Sequence, residues 1–105
     1  MIQGGRYNIG SPESFGPGEI RAVNAGGEIV AVANVDGEFY AVADTCTHAE
    51  ASLSEGDLDG HTIACPLHGA EFDVKTGEVL ALPATSPIET FPVDIENGNL
   101  IVTIP

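Results

Sequence analysis

Positive charge is what this chain has least of. Its 105 residues hold three basic side chains, Arg6, Arg21 and Lys75, against 16 acidic ones, for a net charge of -13. A field of that sign makes nucleic acid and anionic membrane poor partners, and neither is expected. Cysteine is scarce as well, and two residues of it are too few for a disulfide framework. No apolar run approaches the ~20 residues that span a membrane. The opening Met-Ile-Gln-Gly-Gly-Arg has no apolar core of a signal peptide, so a soluble cytoplasmic protein is expected. No segment sustains a long 3.6-residue period, and there are no repeats, linkers or low-complexity tracts. Glu50 and Glu71 are not accompanied by a nucleophile, an oxyanion motif or a phosphate-binding glycine pattern, so general acid-base catalysis has nothing to work with.

What is present is a series of short β-type segments divided by turn signals. The expected strands are Tyr7-Asn8-Ile9, Glu19 to Val23, Glu28 to Val35, Glu38 to Ala43, Glu55 to Leu58, His61 to Ala64, Ala70 to Asp73, Glu78 to Leu80, Thr90 to Ile95 and Asn99 to Ile104. Asp36-Gly37, Asp59-Gly60 and Asn97-Gly98 read as tight hairpin turns, and Lys75-Thr76-Gly77 as a three-residue turn. Pro12 to Phe15 has room for a single helical turn. Strand spacing of about ten residues predicts an all-β protein, an antiparallel sandwich or small barrel. Residues 1–105 make one domain, large enough to bury about 65% of its unfolded-chain surface without disulfides.

Both cysteines fall in two short runs, Cys46-Thr47-His48 and Cys65-Pro66-Leu67-His68, each pairing a thiolate with an imidazole. The 16 residues from Ala49 to Ala64 suffice for a loop, a strand and a return, so two loops can meet over one centre. Two cysteines and two histidines suit either tetrahedral zinc or a 2Fe-2S cluster whose irons carry different ligands. Zinc knuckles usually supply Cys-Cys before His-His. The order here, Cys, His, Cys, His, lets both cysteines take one iron and both histidines the other. His61 belongs to neither run and is expected to be an exposed polar residue. Phe39, Tyr40 and Phe91 are expected in core or face positions.

At these residues the chain resembles the Rieske iron-sulfur family, whose pattern is Cys-x-His, a spacer, then Cys-x-x-His. Gly69 after the second histidine and Leu82-Pro83-Ala84, similar to the proline loop of that family, extend the likeness. The resemblance implies a Rieske fold, with a cluster-binding subdomain at about 46–83 inserted in a base domain, and one 2Fe-2S cluster per chain held by Cys46, His48, Cys65 and His68. Members of the cytochrome bc type carry an additional cysteine in each ligand loop, where this chain has Ala51 and Leu67. They also place serine and tyrosine hydroxyls near the sulfurs, where this chain has Ala70 and Phe72. Losing those donors should lower the reduction potential towards about -150 mV, the bottom of the Rieske range.

An oxygenase subunit would need a further domain for a mononuclear iron, and only His61 is left to serve one. With its runs Leu53-Ser54-Glu55-Gly56 and Phe72-Asp73-Val74-Lys75-Thr76-Gly77, the chain is most similar to the Rieske ferredoxins of bacterial aromatic-ring-hydroxylating dioxygenase systems. The resemblance implies a monomeric one-electron carrier, with no catalytic residues, between an NAD(P)H-dependent flavoprotein ferredoxin reductase and a terminal oxygenase. Two alternatives stand beside it: a small subunit of an assimilatory nitrite reductase, and a zinc-stabilised interaction module. The stretch from Asp44 to Glu78 holds eight acids against Lys75 alone, an acidic collar expected to steer basic partners.

Overall fold

The computed structural model of the chain describes residues 4–46, 51–66, 69–82 and 86–105. Among them run eleven strands: β1 Gly5–Asn8, β2 Ile20–Ala25, β3 Glu28–Val35, β4 Glu38–Ala43, β5 Asp57–Asp59, β6 Thr62–Ala64, β7 Glu71–Asp73, β8 Val79–Ala81, β9 Thr90–Phe91, β10 Val93–Glu96 and β11 Asn99–Ile104. The only helical pieces among the described residues are the 3₁₀ turns Pro12–Ser14 and Leu53–Glu55. None is long and apolar enough to cross a membrane. The strands pair antiparallel into three sheets, ordered β1-β11-β10, β2-β3-β4-β9 and β5-β6-β7-β8.

The middle sheet is the shared layer, and β3 shows why. Its sequence EIVAVANV is apolar at consecutive positions, the pattern of a strand buried on both faces. Val30 and Val32 enter one core with Ala41, Phe91, Leu100, Val102 and Ile104, which closes the middle sheet onto β10 and β11. Ala31, Ala33 and Val35 point the other way, into a second core with Leu53, Ile63, Phe72, Val74 and Ile88. The two cores make three packed layers. The first two sheets form an antiparallel sandwich, and β5 to β8 form a smaller lobe against it.

Two hairpin turns follow the sequence closely. Asp36 and Gly37 take φ of 50° and 90°, and Asn97 and Gly98 take 52° and 77°. Left-handed conformation at both central positions is what a two-residue hairpin loop requires and what Asp-Gly and Asn-Gly supply. A third hairpin, β2 to β3, turns on Gly26-Gly27, with φ of 64° and 97°.

Several boundaries shift by one or two residues from the sequence reading, and three differences have a clear physical reason. The expected strand from Thr90 to Ile95 is two strands, because Pro92 has no N–H to give a ladder. β9 pairs with β4 before it and β10 with β11 after it, so the chain changes sheets at the proline. Asp59 pairs with Thr62, which makes Gly60-His61 the turn, rather than Asp59-Gly60. The strand expected from Glu55 begins instead at Asp57, since Leu53–Glu55 wind into a 3₁₀ turn closed by Gly56 N–H to the Leu53 carbonyl at 3.0 Å.

Candidate metal centre

Cys46 and Cys65 stand at the start of two loops of like construction. The Cys46 N–H donates to the Ala51 carbonyl at 2.9 Å, and the Cys65 N–H to the Ala70 carbonyl at 2.7 Å. Each bond closes a five-residue excursion from its cysteine. The supports differ. The second loop joins β6 to β7, and the ladder beneath it pairs Ala64 with Glu71 and Ile63 with Phe72. The first lies beyond the end of β4, and beneath it is only the isolated bridge between Thr45 and Ser52.

Both cysteines are buried, and both belong to the core shared with Ala31, Ala33, Leu53, Ala70 and Phe72. Two cysteines 19 positions apart in sequence thus belong to one buried apolar core. That donor pair fits the cysteine half of a metal centre, since thiolates select iron-sulfur clusters and zinc. Among the described residues no group of three or more metal-ligating side chains gathers. His48, His68 and Leu67, with the Pro83-Ala84 part of the proline loop, lie outside those residues. Ala70 and Phe72, read as hydroxyl-free positions close to the cluster, are wholly buried in the same core as the two cysteines.

The glycines around the loops have a steric reason. A Cβ on Gly56 would overlap the Ala64 carbonyl oxygen, so the 3₁₀ turn can approach β6 only as glycine. Gly77 has φ of 80° and is held between the Asp73 and Ile88 backbones; a Cβ there would overlap the Ile88 carbonyl oxygen. The Lys75-Thr76-Gly77 turn is tied further by Asp73 Oδ1, which accepts the Lys75 N–H at 2.8 Å.

The acidic collar needs one correction. Asp44 is buried, with 5% of its surface accessible, and its side chain and carbonyl are engaged inside the fold. It offers no direct contact to an approaching partner. Glu55, Asp57, Asp59 and Glu78 are exposed, Glu71 and Asp73 are half-buried, and Glu50 lies outside the described residues. Two of the three cations belong to the sandwich and are already paired, Arg6 with Glu96 and Asp94, Arg21 with Glu19. Those contacts hold the Glu96 and Glu19 carboxyls below the usual range: Glu96 chiefly by the Arg6 hydrogen bond, Glu19 chiefly by the Gly16 N–H and then by Arg21. At the apolar end, Leu80 and Leu82 are exposed, Leu82 to 76%.

His61 is exposed as expected, and its ring meets Tyr40 edge-on with centroids 5.5 Å apart. Its carbonyl accepts the Val74 N–H at 2.8 Å. Phe91 is in the sandwich core, and Phe39 packs against it and edge-on to Phe15. A surface groove of about 420 Å³, lined by Phe39, Tyr40, Lys75, Phe91 and Val93 among others, is lined by neither cysteine.

Comparison with known proteins places this geometry. Residues 5–92 match the family described as Rieske [2Fe-2S] domain. The 3-phenylpropionate/cinnamic acid dioxygenase ferredoxin subunit of Escherichia coli strain K12 is 51% identical over 78 residues, covering 73% of this chain and 74% of that protein. Among solved structures, the Sphingomonas yanoikuyae B1 ferredoxin superposes with a TM-score of 0.90 at 39% identity, over 96% of this chain and 100% of that one. A chain from the complex of reduced oxygenase and oxidized ferredoxin in carbazole 1,9a-dioxygenase superposes with a TM-score of 0.89 at 44% identity, over 92% of this chain and 100% of that one.

Proposed function

This chain belongs to the Rieske 2Fe-2S family, and from that premise we propose that it is the ferredoxin of an aromatic-ring dioxygenase system, passing electrons from an NAD(P)H-dependent flavoprotein reductase to a terminal oxygenase. It is a carrier and not a catalyst. The observation that carries the reading is that Cys46 and Cys65, each buried at the start of a loop closed by a backbone hydrogen bond, belong to one core. Cys46 and Cys65 hold the inner iron in this reading, and His48 and His68 the outer one, following their spacing in the sequence. Zinc, which the donor types alone left open, has no place in a 2Fe-2S family. No relative named above belongs to a nitrite reductase.

The bound cluster supplies a one-electron couple. The chain's own residues set the conditions for it. The apolar shell of Leu53, Ile63, Ala70 and Phe72 keeps water from the thiol side. Ala70 and Phe72 offer no hydroxyl to sulfur, which favours the oxidised state and a potential near the low end, about -150 mV, of the Rieske range. Exposed carboxylates on Glu55, Asp57, Asp59 and Glu78 make the lobe attractive to basic partner surfaces, an attraction screened over ~8 Å at physiological salt. A cytoplasmic, monomeric carrier suits this role.

The test is direct. Purified protein is expected to contain two irons and two acid-labile sulfides per chain, and His68→Ala to lose both the native visible spectrum and electron delivery to an oxygenase. A His68→Ala protein that kept the native spectrum would remove that residue from the ligand set. Reductase-to-ferredoxin rates should fall as salt rises; rates flat across a wide salt range would remove the steering role of the carboxylates.

A further inference from the structure

Two polar side chains are buried among the described residues, Asn34 and Asp44, each 5% accessible. Asn34 serves the sandwich, donating to the Phe15 carbonyl at 3.1 Å and accepting the Gly37 N–H at 2.8 Å. Asp44 faces the other way. A carboxylate taken out of water is costly unless hydrogen bonds compensate it, so its partners indicate what it does. Its Oδ1 accepts the Ser54 N–H at 2.9 Å, and its carbonyl accepts the Leu53 N–H at 2.7 Å. Both donors belong to the 3₁₀ turn that follows the Cys46 loop. The natural cap of that turn, Ser52, makes no side-chain cap hydrogen bond. Asp44 therefore satisfies amides that the local sequence leaves open, and it does so from the strand side of the loop.

The effect is to join the two ends of the first ligand loop. Chain enters at Asp44, turns at Cys46 and returns at Ser52 to Ser54. The Thr45–Ser52 bridge and the Cys46 to Ala51 bond are the rungs above the Asp44 contacts. The second loop needs no such device, because its ends are the paired strands β6 and β7.

We propose that Asp44 is the positioning residue of the Cys46 loop: its buried carboxylate does for the first loop what a β-ladder does for the second. The inference rests on the reading of Cys46 as a ligand. Protein purified without iron would overturn that reading, whereas the tests below, made on iron-loaded protein, concern Asp44 alone.

The experiment compares Asp44→Ala and Asp44→Asn with the parent, using peptide-level hydrogen exchange and the rate of iron loss to a ferrous chelator after reduction. Asp44→Ala is expected to exchange at least about tenfold faster over residues 45–54 and to release iron faster by a like factor, as the loss of one charge-assisted hydrogen bond implies. Residues 62–73 should exchange as in the parent. Asp44→Asn, which keeps an oxygen acceptor in place, should remain within about threefold of the parent on both readouts. Where Asp44→Ala does not accumulate, Asp44→Ser, too short to reach the Ser54 amide, takes its place with the same expected local loss. Parent-like exchange over 45–54 in the truncated variant, equal acceleration of both segments, or an Asn variant as impaired as the Ala variant would each overturn the proposal.

Discussion

The sandwich and the lobe are built on different terms. In the sandwich, β2 and β3 pair over six positions, as do β3 and β4, and the core between the sheets is filled by Phe15, Val30, Val32, Phe91 and Leu100. In the lobe, every strand is three residues long, and the core against the middle sheet combines Leu53, Ile63, Phe72, Val74 and Ile88 with Ala31, Ala33, Ala70 and the two cysteines. Long ladders carry the sandwich. The lobe has short ladders, and its stability rests on side-chain packing around Phe72, Leu53 and Ile63, the largest fully buried side chains of the described residues. The same strand, β3, serves both, with Val30 and Val32 on one face and Ala31, Ala33 and Val35 on the other. Metal binding is coupled to folding, so the short-laddered region beside the cysteines is expected to gain more from the cofactor than the sandwich does.

Removing the iron is the strongest way to break this comparison. On chelation, amides of β5 to β8 should lose most of their exchange protection while those of β2 to β4 keep theirs, as hydrogen exchange followed by mass spectrometry will show. Uniform loss would mean that the two regions unfold as one. Next in size are two substitutions on opposite sides of the boundary. Gly56→Ala pushes a methyl into the Ala64 carbonyl and should cost roughly 3 kcal/mol in denaturant titrations of the iron-loaded protein, together with faster iron loss. Val32→Ala empties part of the sandwich core and should cost roughly 2 kcal/mol with no change in midpoint potential. A shift of potential in that variant would show that the sandwich tunes the centre through β3.

Smaller effects sharpen the picture. Ala70→Ser and Phe72→Tyr each place a hydroxyl in the thiol-side core and should raise the midpoint by about 40 mV per new bond to sulfur. Protein-film voltammetry measures this, and an unchanged midpoint in both variants would rule out these positions as the controlling ones. Smallest is the acid response of the sandwich surface. Glu19 and Glu96 have carboxyls held below the usual range by their hydrogen bonds and nearby arginines. The stability they contribute is present above the ordinary glutamate value of about 4.3 and is lost as pH falls through the lower folded values. Arg6→Ala, by removing the partner of Glu96, should flatten the pH dependence of unfolding in that range, and an unaltered profile would show the pair to be without effect on stability.

Much of this was readable in the sequence, for reasons that differ by element. The Asp36-Gly37 and Asn97-Gly98 hairpins are set by local backbone chemistry, so local sequence suffices. The shared burial of Cys46 and Cys65 agrees with a spacing of Cys and His in two loops that forms a signal neither residue carries alone. Gly26-Gly27 carried the same kind of hairpin signal and went unread. Pro92 marked the end of a ladder, but the change of sheet there depends on which strands lie alongside, and that is a tertiary fact. Asp44 shows the limit most clearly. In the sequence it is one more acid in a run of acids, and nothing within the run tells that its carboxylate is turned inward onto the amide of Ser54.

The outer strand of the lobe, β5, has one further consequence. An edge strand offers free backbone groups to any passing strand, including that of another copy. β5 occupies the edge of its sheet, and its exposed side chains are Asp57 and Asp59 on either side of Leu58. Two copies brought edge to edge would set like charges against like. Charge of one sign along this border therefore opposes sheet extension by a second copy.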